Sequence, residues 1–84
     1  MNVTVRYFAL LRELMGRESE VLCWDDAEPT VERLRRHLAD RVPARTALLR
    51  DGSLLVAVNR EYAAGGTVLK DGDEVALFPP VSGG

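Results

Sequence analysis

The sequence predicts a small α+β domain in which one sheet packs against a long helix. Three stretches carry this prediction. Residues 2–7 alternate polar and apolar side chains with the period of a strand, residues 30–42 place apolar side chains at helical spacing, and residues 74–78 alternate again near the end of the chain. In a chain of 84 residues this pattern fits a single domain with one modest hydrophobic core.

Composition and charge narrow the classes of function. The formal net charge of −2 argues against nucleic acid as a partner, because phosphate binding needs a basic surface. No apolar run approaches the roughly 20 residues that span a bilayer, and the first residues do not resemble a signal peptide. We therefore expect a cytoplasmic protein that does not bind a membrane. The single cysteine, Cys23, and the single histidine, His37, exclude an internal disulfide and a metal site built from either residue type.

The first half of the chain predicts strand, short helix and strand. Val3, Val5 and Tyr7 should form the buried face of the first strand. Residues 8–15 switch to helical spacing, with Leu10, Leu11, Leu14 and Met15 on one side, and Gly16 is placed to end that helix. Residues 20–24 read as the second strand, whose direction relative to the first the local pattern leaves open. We expect Cys23 to pack in the core and His37 to be partly buried or exposed.

The second half begins with the longest helix. Thr30 is suited to cap its start, the apolar stripe comprises Val31, Leu34, Leu38 and Val42, and Pro43 should end it. The arginines of this segment lie mainly off the stripe and indicate a solvated face. Residues 54–59 form an almost continuous apolar run that predicts an interior strand, and residues 67–69 predict a short one.

The last predicted strand, residues 74–78, has two distinct faces. Val75 and Leu77 share one, and Ala76 and Phe78 share the other. Pro79 and Pro80 fix φ and remove two backbone donors, so the strand should end at Phe78.

We therefore predict a domain over residues 1–78 and an extended, flexible Gly-Gly tail over residues 79–84. Fully extended, this tail would reach roughly 20 Å. Gly83 and Gly84 have no Cβ and could enter a channel too narrow for other residues. The tail could thus bring the carboxyl group of Gly84 into the active site of another protein.

Several motifs in order give the chain a family resemblance. They are Phe78-Pro79-Pro80-Val81-Ser82-Gly83-Gly84, the preceding Asp71-Gly72-Asp73-Glu74-Val75-Ala76, the central Val56-Ala57-Val58-Asn59, and Tyr7-Phe8-Ala9 with Arg12-Glu13-Leu14. Over essentially its full length the chain resembles the MoaD family, the small subunits of molybdopterin synthase. The resemblance implies a ubiquitin-like β-grasp fold whose first and last strands form a central parallel pair.

The family also implies a chemistry centred on Gly84. A MoeB-like enzyme would use ATP to adenylate the Gly84 carboxyl group, and sulfur would then replace the adenylate to give a thiocarboxylate. Gly83 would be the unhindered link beside it. A MoaE-like large subunit would receive the tail and direct the sulfur to cyclic pyranopterin monophosphate, in an assembly of two small and two large subunits. The chain itself would be no enzyme and would hold no metal or permanent cofactor.

Docking to such partners needs a surface as well as a tail. Phe78 is the first expected anchor because it precedes the tail and faces away from Val75 and Leu77. Pro79, Pro80, Val81 and Ser82 would follow it into the partner. Phe8 and Tyr62 correspond, by resemblance, to apolar contact positions of the family.

Three other functions remain open from the sequence. A ThiS-like carrier for thiazole synthesis would share the fold and the Gly-Gly end. A ubiquitin-like modifier would share the activation step but form an isopeptide bond to a lysine. A noncovalent binding module is the third. The Phe-Pro-Pro-Val segment and the length of the chain favour the molybdopterin function over the thiazole one.

Overall fold

The structure is a computed structural model that describes residues 1–42, 49 and 54–79. In this part of the chain, strands β1 (Asn2–Tyr7), β2 (Ser19–Cys23), β3 (Leu55–Val58), β4 (Glu61–Tyr62) and β5 (Glu74–Phe78) form one sheet in the order β2-β1-β5-β3-β4. Helices α1 (Leu10–Met15) and α2 (Val31–Arg41) complete the elements. Neither described helix is both long and apolar enough to cross a membrane.

The centre of the sheet is the parallel pair of β1 and β5, and the other strand pairs are antiparallel. This arrangement confirms the expected α+β class and the β-grasp topology, with β2 antiparallel to β1. Every second residue of the central strands points to one core, where Val5, Val75 and Leu77 are fully buried. The alternation in the sequence predicted these inward faces correctly.

Helix α2 covers the inner face of the sheet. Its residues Val31, Leu34 and Leu38 are almost fully buried in the same cluster as the strand residues, as the apolar stripe predicted. Thr30 caps the helix, since its Oγ1 accepts a hydrogen bond from the Arg33 backbone N–H at 3.3 Å. The last helical residue is Arg41, shortly before Pro43.

Leu10 does not share the burial of the apolar side of α1, and the prediction that Cys23 packs in the core was wrong. Leu10 is 61% exposed. Helix α1 has only six residues, and Leu11 is the one residue of this helix that is fully buried. Cys23 is exposed because β2 alternates, with Leu22 turned inward and Cys23 outward. The segment around Cys23 is apolar on both faces, so its sequence did not distinguish them. Gly16 does end α1, at φ 73°, and His37 is half-buried, as expected.

The short strand β4 was not predicted. It is joined to β3 by the two-residue turn Asn59-Arg60, in which both residues have positive φ, 50° and 72°. Two-residue hairpins of type I′ need this conformation, and glycine normally supplies it at the second position. Because Arg60 occupies the second position of this turn in place of glycine, the sequence did not indicate a hairpin. The strand predicted at residues 67–69 reduces to one isolated bridge between Val68 and Thr30.

One inward-facing carboxylate connects β2 to the end of α2. Glu20 Oε2 accepts a hydrogen bond from the Tyr7 hydroxyl at 2.6 Å, and Glu20 Oε1 pairs with Arg41 at 3.0 Å. Burial raises the pKa of Glu20, but the bonds from Tyr7 and Arg41 outweigh burial and leave the pKa below its usual value. The charged form of Glu20 is therefore the form that the fold stabilises.

This pair predicts a pH-dependent part of the stability. Because the folded pKa of Glu20 is lowered, its contribution is present above the unfolded pKa and is lost as the pH falls below about 4.5 towards the folded pKa. Glu20→Gln should lower the free energy of unfolding at pH 7 by about 1–3 kcal/mol and flatten its dependence on acid pH, measured by urea unfolding. Glu18→Gln, at an exposed neighbouring position, is the control. An unchanged acid profile in Glu20→Gln would contradict the assignment.

Candidate docking site at the base of the C-terminal tail

The outer face of the sheet carries an apolar surface near the end of β5. The strand register places Arg6, Ala76, Ala57 and Tyr62 in one row across β1, β5, β3 and β4. Because side chains alternate along a strand, this row points away from the core that Val75 and Leu77 fill. The next row pairs Phe78 of β5 with Leu55 of β3.

Phe8 and Phe78 form the aromatic side of this surface. Tyr7 lies opposite Leu77 in the parallel pair, so the residues that follow them emerge side by side. The backbone N–H of Phe8 donates to the Leu77 carbonyl at 3.2 Å, and the two phenyl rings stack with centroids 4.6 Å apart. Both residues are half-buried. Their stacking fixes Phe78 at the position from which the chain leaves the sheet.

A cavity of about 280 Å³ opens beside this stack. The small side chains of Ala57 and Ala76, which lie opposite each other in the sheet, line it together with larger side chains. Tyr62 is 78% exposed and stands at the β4 side. The lining residues are Arg6, Phe8, Ala57, Arg60, Tyr62, Glu74, Ala76 and Phe78. We call this cavity the aromatic pocket.

The aromatic pocket carries more positive than negative side chains. The Arg6 guanidinium lies 5.3 Å from the centre of the Phe8 ring and pairs with Glu74, Nη1 to Oε1, at 3.4 Å. Arg60 forms no ion pair with any residue in the described ranges. Among the described residues of the lining, Glu74 is the one acid, and it pairs with Arg6, so Arg60 has no acidic partner within this set.

Hydrogen bonds hold the backbone of Arg60 in place. The Asn59 side chain accepts from the Glu74 N–H at 3.0 Å and donates to the Asp73 carboxylate at 2.9 Å. The Asn59 N–H also donates to the Glu74 carbonyl at 2.8 Å. These hydrogen bonds connect the β3–β4 turn to the start of β5. The backbone of Arg60 therefore has a defined position at the rim of the pocket.

The structure brings together three of the interface residues predicted from the sequence, since Phe8, Tyr62 and Phe78 all line the aromatic pocket. Pro79, half-buried, directly follows the last strand residue, in agreement with the predicted end of β5. Pro80, Val81, Ser82, Gly83 and Gly84 lie outside the described residues, so the proposed roles of this segment and its extended form stay predictions.

Sequence reasoning missed the charged side chains of the site. The alternation of β1 was sufficient to place Arg6 on the outer face, opposite Val5 and Tyr7. No comparable signal existed for Arg60, because its position depends on an unrecognised turn. The role of Ala57 depends on its pairing with Ala76, which is a contact between distant segments.

Comparison with known proteins identifies a family. The ThiS family matches residues 5–84. The molybdopterin synthase sulfur carrier subunit of Escherichia coli is 45% identical over 98% of this chain and 99% of its own length. A small archaeal modifier protein, number 3 of Haloferax volcanii, is 35% identical, with all of both chains covered.

A solved structure extends the likeness to a complex. It is the complex of subunits 1 and 2 of the molybdopterin-converting factor from Helicobacter pylori, in which one chain is 28% identical to this one with a TM-score of 0.64. All of this chain and all of that chain are covered.

Proposed function

We propose that this chain, which belongs to the ThiS family and within it to the molybdopterin synthase sulfur carrier subunits, carries sulfur on Gly84. The observation that carries the proposal is the 45% identity to the Escherichia coli carrier, which extends over 98% of the chain. The position of Phe8, Tyr62 and Phe78 around one pocket at the base of the tail supports it, because a carrier must be held by the enzyme that its tail enters.

The chemistry would begin with an unreactive group. A free carboxylate of Gly84 is a poor electrophile. Its oxygen would attack the α-phosphate of ATP, which gives an acyl adenylate as the bond to pyrophosphate breaks. A sulfur nucleophile then forms the C–S bond as AMP leaves, which yields the thiocarboxylate. On transfer, sulfur passes to cyclic pyranopterin monophosphate and water supplies the oxygen that restores the carboxylate. Two such deliveries make the dithiolene.

This chain would supply the carboxyl group that carries the sulfur, and its partners would supply the active sites. A MoeB-like enzyme binds ATP and activates Gly84, and a MoaE-like large subunit provides the active site for transfer. The complex of subunits 1 and 2 from Helicobacter pylori supports a large-subunit partner. We propose an assembly of two small and two large subunits in the cytoplasm, with no metal or permanent cofactor in this chain.

Intact mass spectrometry tests the carrier function. After incubation with ATP, a MoeB-like enzyme and a sulfur source, we expect a mass gain that matches replacement of one oxygen by sulfur, located at Gly84 by fragmentation. The gain should disappear when ATP is omitted. A chain that gains no sulfur but appears in high-mass adducts through lysine would contradict the proposal.

Protein modification is the second candidate. The 35% identity to small archaeal modifier protein 3 favours it, since that relative is matched over its whole length. Activation of Gly84 would be common to both functions, and the acceptor would differ: sulfur for a carrier, a lysine amine for a modifier. A ThiS-like carrier for thiazole synthesis would give the same mass gain but would not donate to the pterin.

A further inference from the structure

We propose that the aromatic pocket binds an acidic, apolar segment of the large subunit, with an apolar side chain over Ala57 and Ala76 and a carboxylate paired with Arg60. This inference rests on the proposed function for the identity of the partner. It adds the chemistry that the partner must present and assigns to Arg60 a role in choosing it.

The shape of the pocket suits a side chain of a protein. Its volume of about 280 Å³ is at the lower limit of small-molecule sites, which span about 300–1,000 Å³. The two alanines leave a depression between the Phe8–Phe78 stack and Tyr62. Tyr62 and Arg60, both in the lining, are of residue types that are enriched among those carrying most of the binding energy at protein interfaces.

The position of the pocket fits a partner that also receives the tail. Phe78 is both a lining residue and the last residue of β5. A segment seated on Phe78 therefore lies beside the point where residue 79 begins the predicted tail. One partner could therefore bind the aromatic pocket and receive the tail through a single continuous interface.

Charge complementarity selects an acidic segment. Arg6 is engaged by Glu74 and by the ring of Phe8, whereas Arg60 has no ionic partner in the part of the chain that the structure describes. The chain as a whole has a net charge of −2, so a cationic rim here departs from its average surface. An opposed carboxylate on the partner would raise the association rate and reject partners with a basic segment.

Calorimetric titration of the intact chain with the large subunit of the same organism tests this inference at low and high salt. For the wild type we expect affinity to fall as salt rises. Arg60→Gln should weaken binding at low salt up to about fivefold, and Arg60→Glu should weaken it more than tenfold. Arg60→Gln should lose the salt dependence, and Arg60→Glu should bind more tightly as salt rises, because salt screens the repulsion between two carboxylates. Melting temperatures close to that of the wild type would show that the exposed turn still folds.

Arg36→Glu is the matched control, since it makes the same change in net charge on α2, on the opposite side of the sheet, at an exposed arginine. Binding of Arg36→Glu should remain within about twofold of the wild type. The inference would be overturned if Arg60→Glu and Arg36→Glu weakened binding equally, or if the affinity of the wild type did not change with salt concentration. Neither outcome would affect the sulfur-loading result. Complete absence of binding by the wild type would overturn the large-subunit assignment itself.

Discussion

Deletion of Gly84 should abolish sulfur loading and leave the domain folded. The variant ends in the carboxyl group of Gly83, one residue short of the position that the proposed adenylation reaches, and the buried core of the described residues ends at Leu77. We expect no mass gain after incubation with ATP, a MoeB-like enzyme and a sulfur source, and a melting temperature equal to that of the wild type. Binding to the large subunit should persist, because the aromatic pocket is unchanged.

A second variant keeps the length of the tail and tests whether its last residue must lack a side chain. Gly84→Ala retains a carboxyl group but adds a Cβ, so it should load sulfur more slowly without losing the reaction. If the deletion variant gained sulfur as the wild type does, Gly84 would not be required, and the carrier would be the Gly83 carboxyl group or another group. A fall in melting temperature comparable to that of a core substitution would show instead that the tail contributes to folding.

Replacing Phe78 by alanine should weaken binding to the large subunit by tenfold to hundredfold, about 1.4–2.7 kcal/mol. The substitution removes one ring of the Phe8–Phe78 stack and one wall of the aromatic pocket. Phe78→Leu, which keeps apolar volume, should lose less affinity. The measurement is a titration of each variant with the large subunit, together with a thermal melt.

Val68→Ala is the control for loss of an exposed apolar side chain. Val68 is 61% exposed and does not line the aromatic pocket. Its substitution should leave affinity unchanged. Equal affinities of Phe78→Ala and the wild type would remove Phe78 from the interface, and a large drop in melting temperature would assign it to the core.

The parts of the fold that follow from local periodicity could be predicted from the sequence. The alternation in β1 and β5 identified which residues face the core, and it placed Phe78 on the outer face. The stripe of α2 predicted Leu34 and Leu38 as core residues. The proline after Phe78 marked the end of β5 because it cannot continue the ladder.

The rest of the site depends on contacts between distant residues. The aromatic pocket exists because Ala57 lies opposite Ala76, and no local pattern encodes that pairing. Arg60 takes its position from a hairpin whose second residue is not glycine. Cys23 was misplaced because β2 has apolar side chains on both faces, and the inner face, with Leu22 and Glu20, is identified only by contacts with distant residues.

The parallel pairing of β1 with β5 has a consequence for when the protein can work. The paired residues run from Thr4 and Glu74 to Tyr7 and Leu77, and the stacked rings of Phe8 and Phe78 follow directly after the last pair. A chain still being synthesised on the ribosome has its first strand long before its last one, and pairings between such distant segments form slowly. The docking surface therefore arises late, together with the complete fold. An activating enzyme that recognises this surface would bind the folded carrier and reject an unfolded chain before it uses ATP to adenylate the tail.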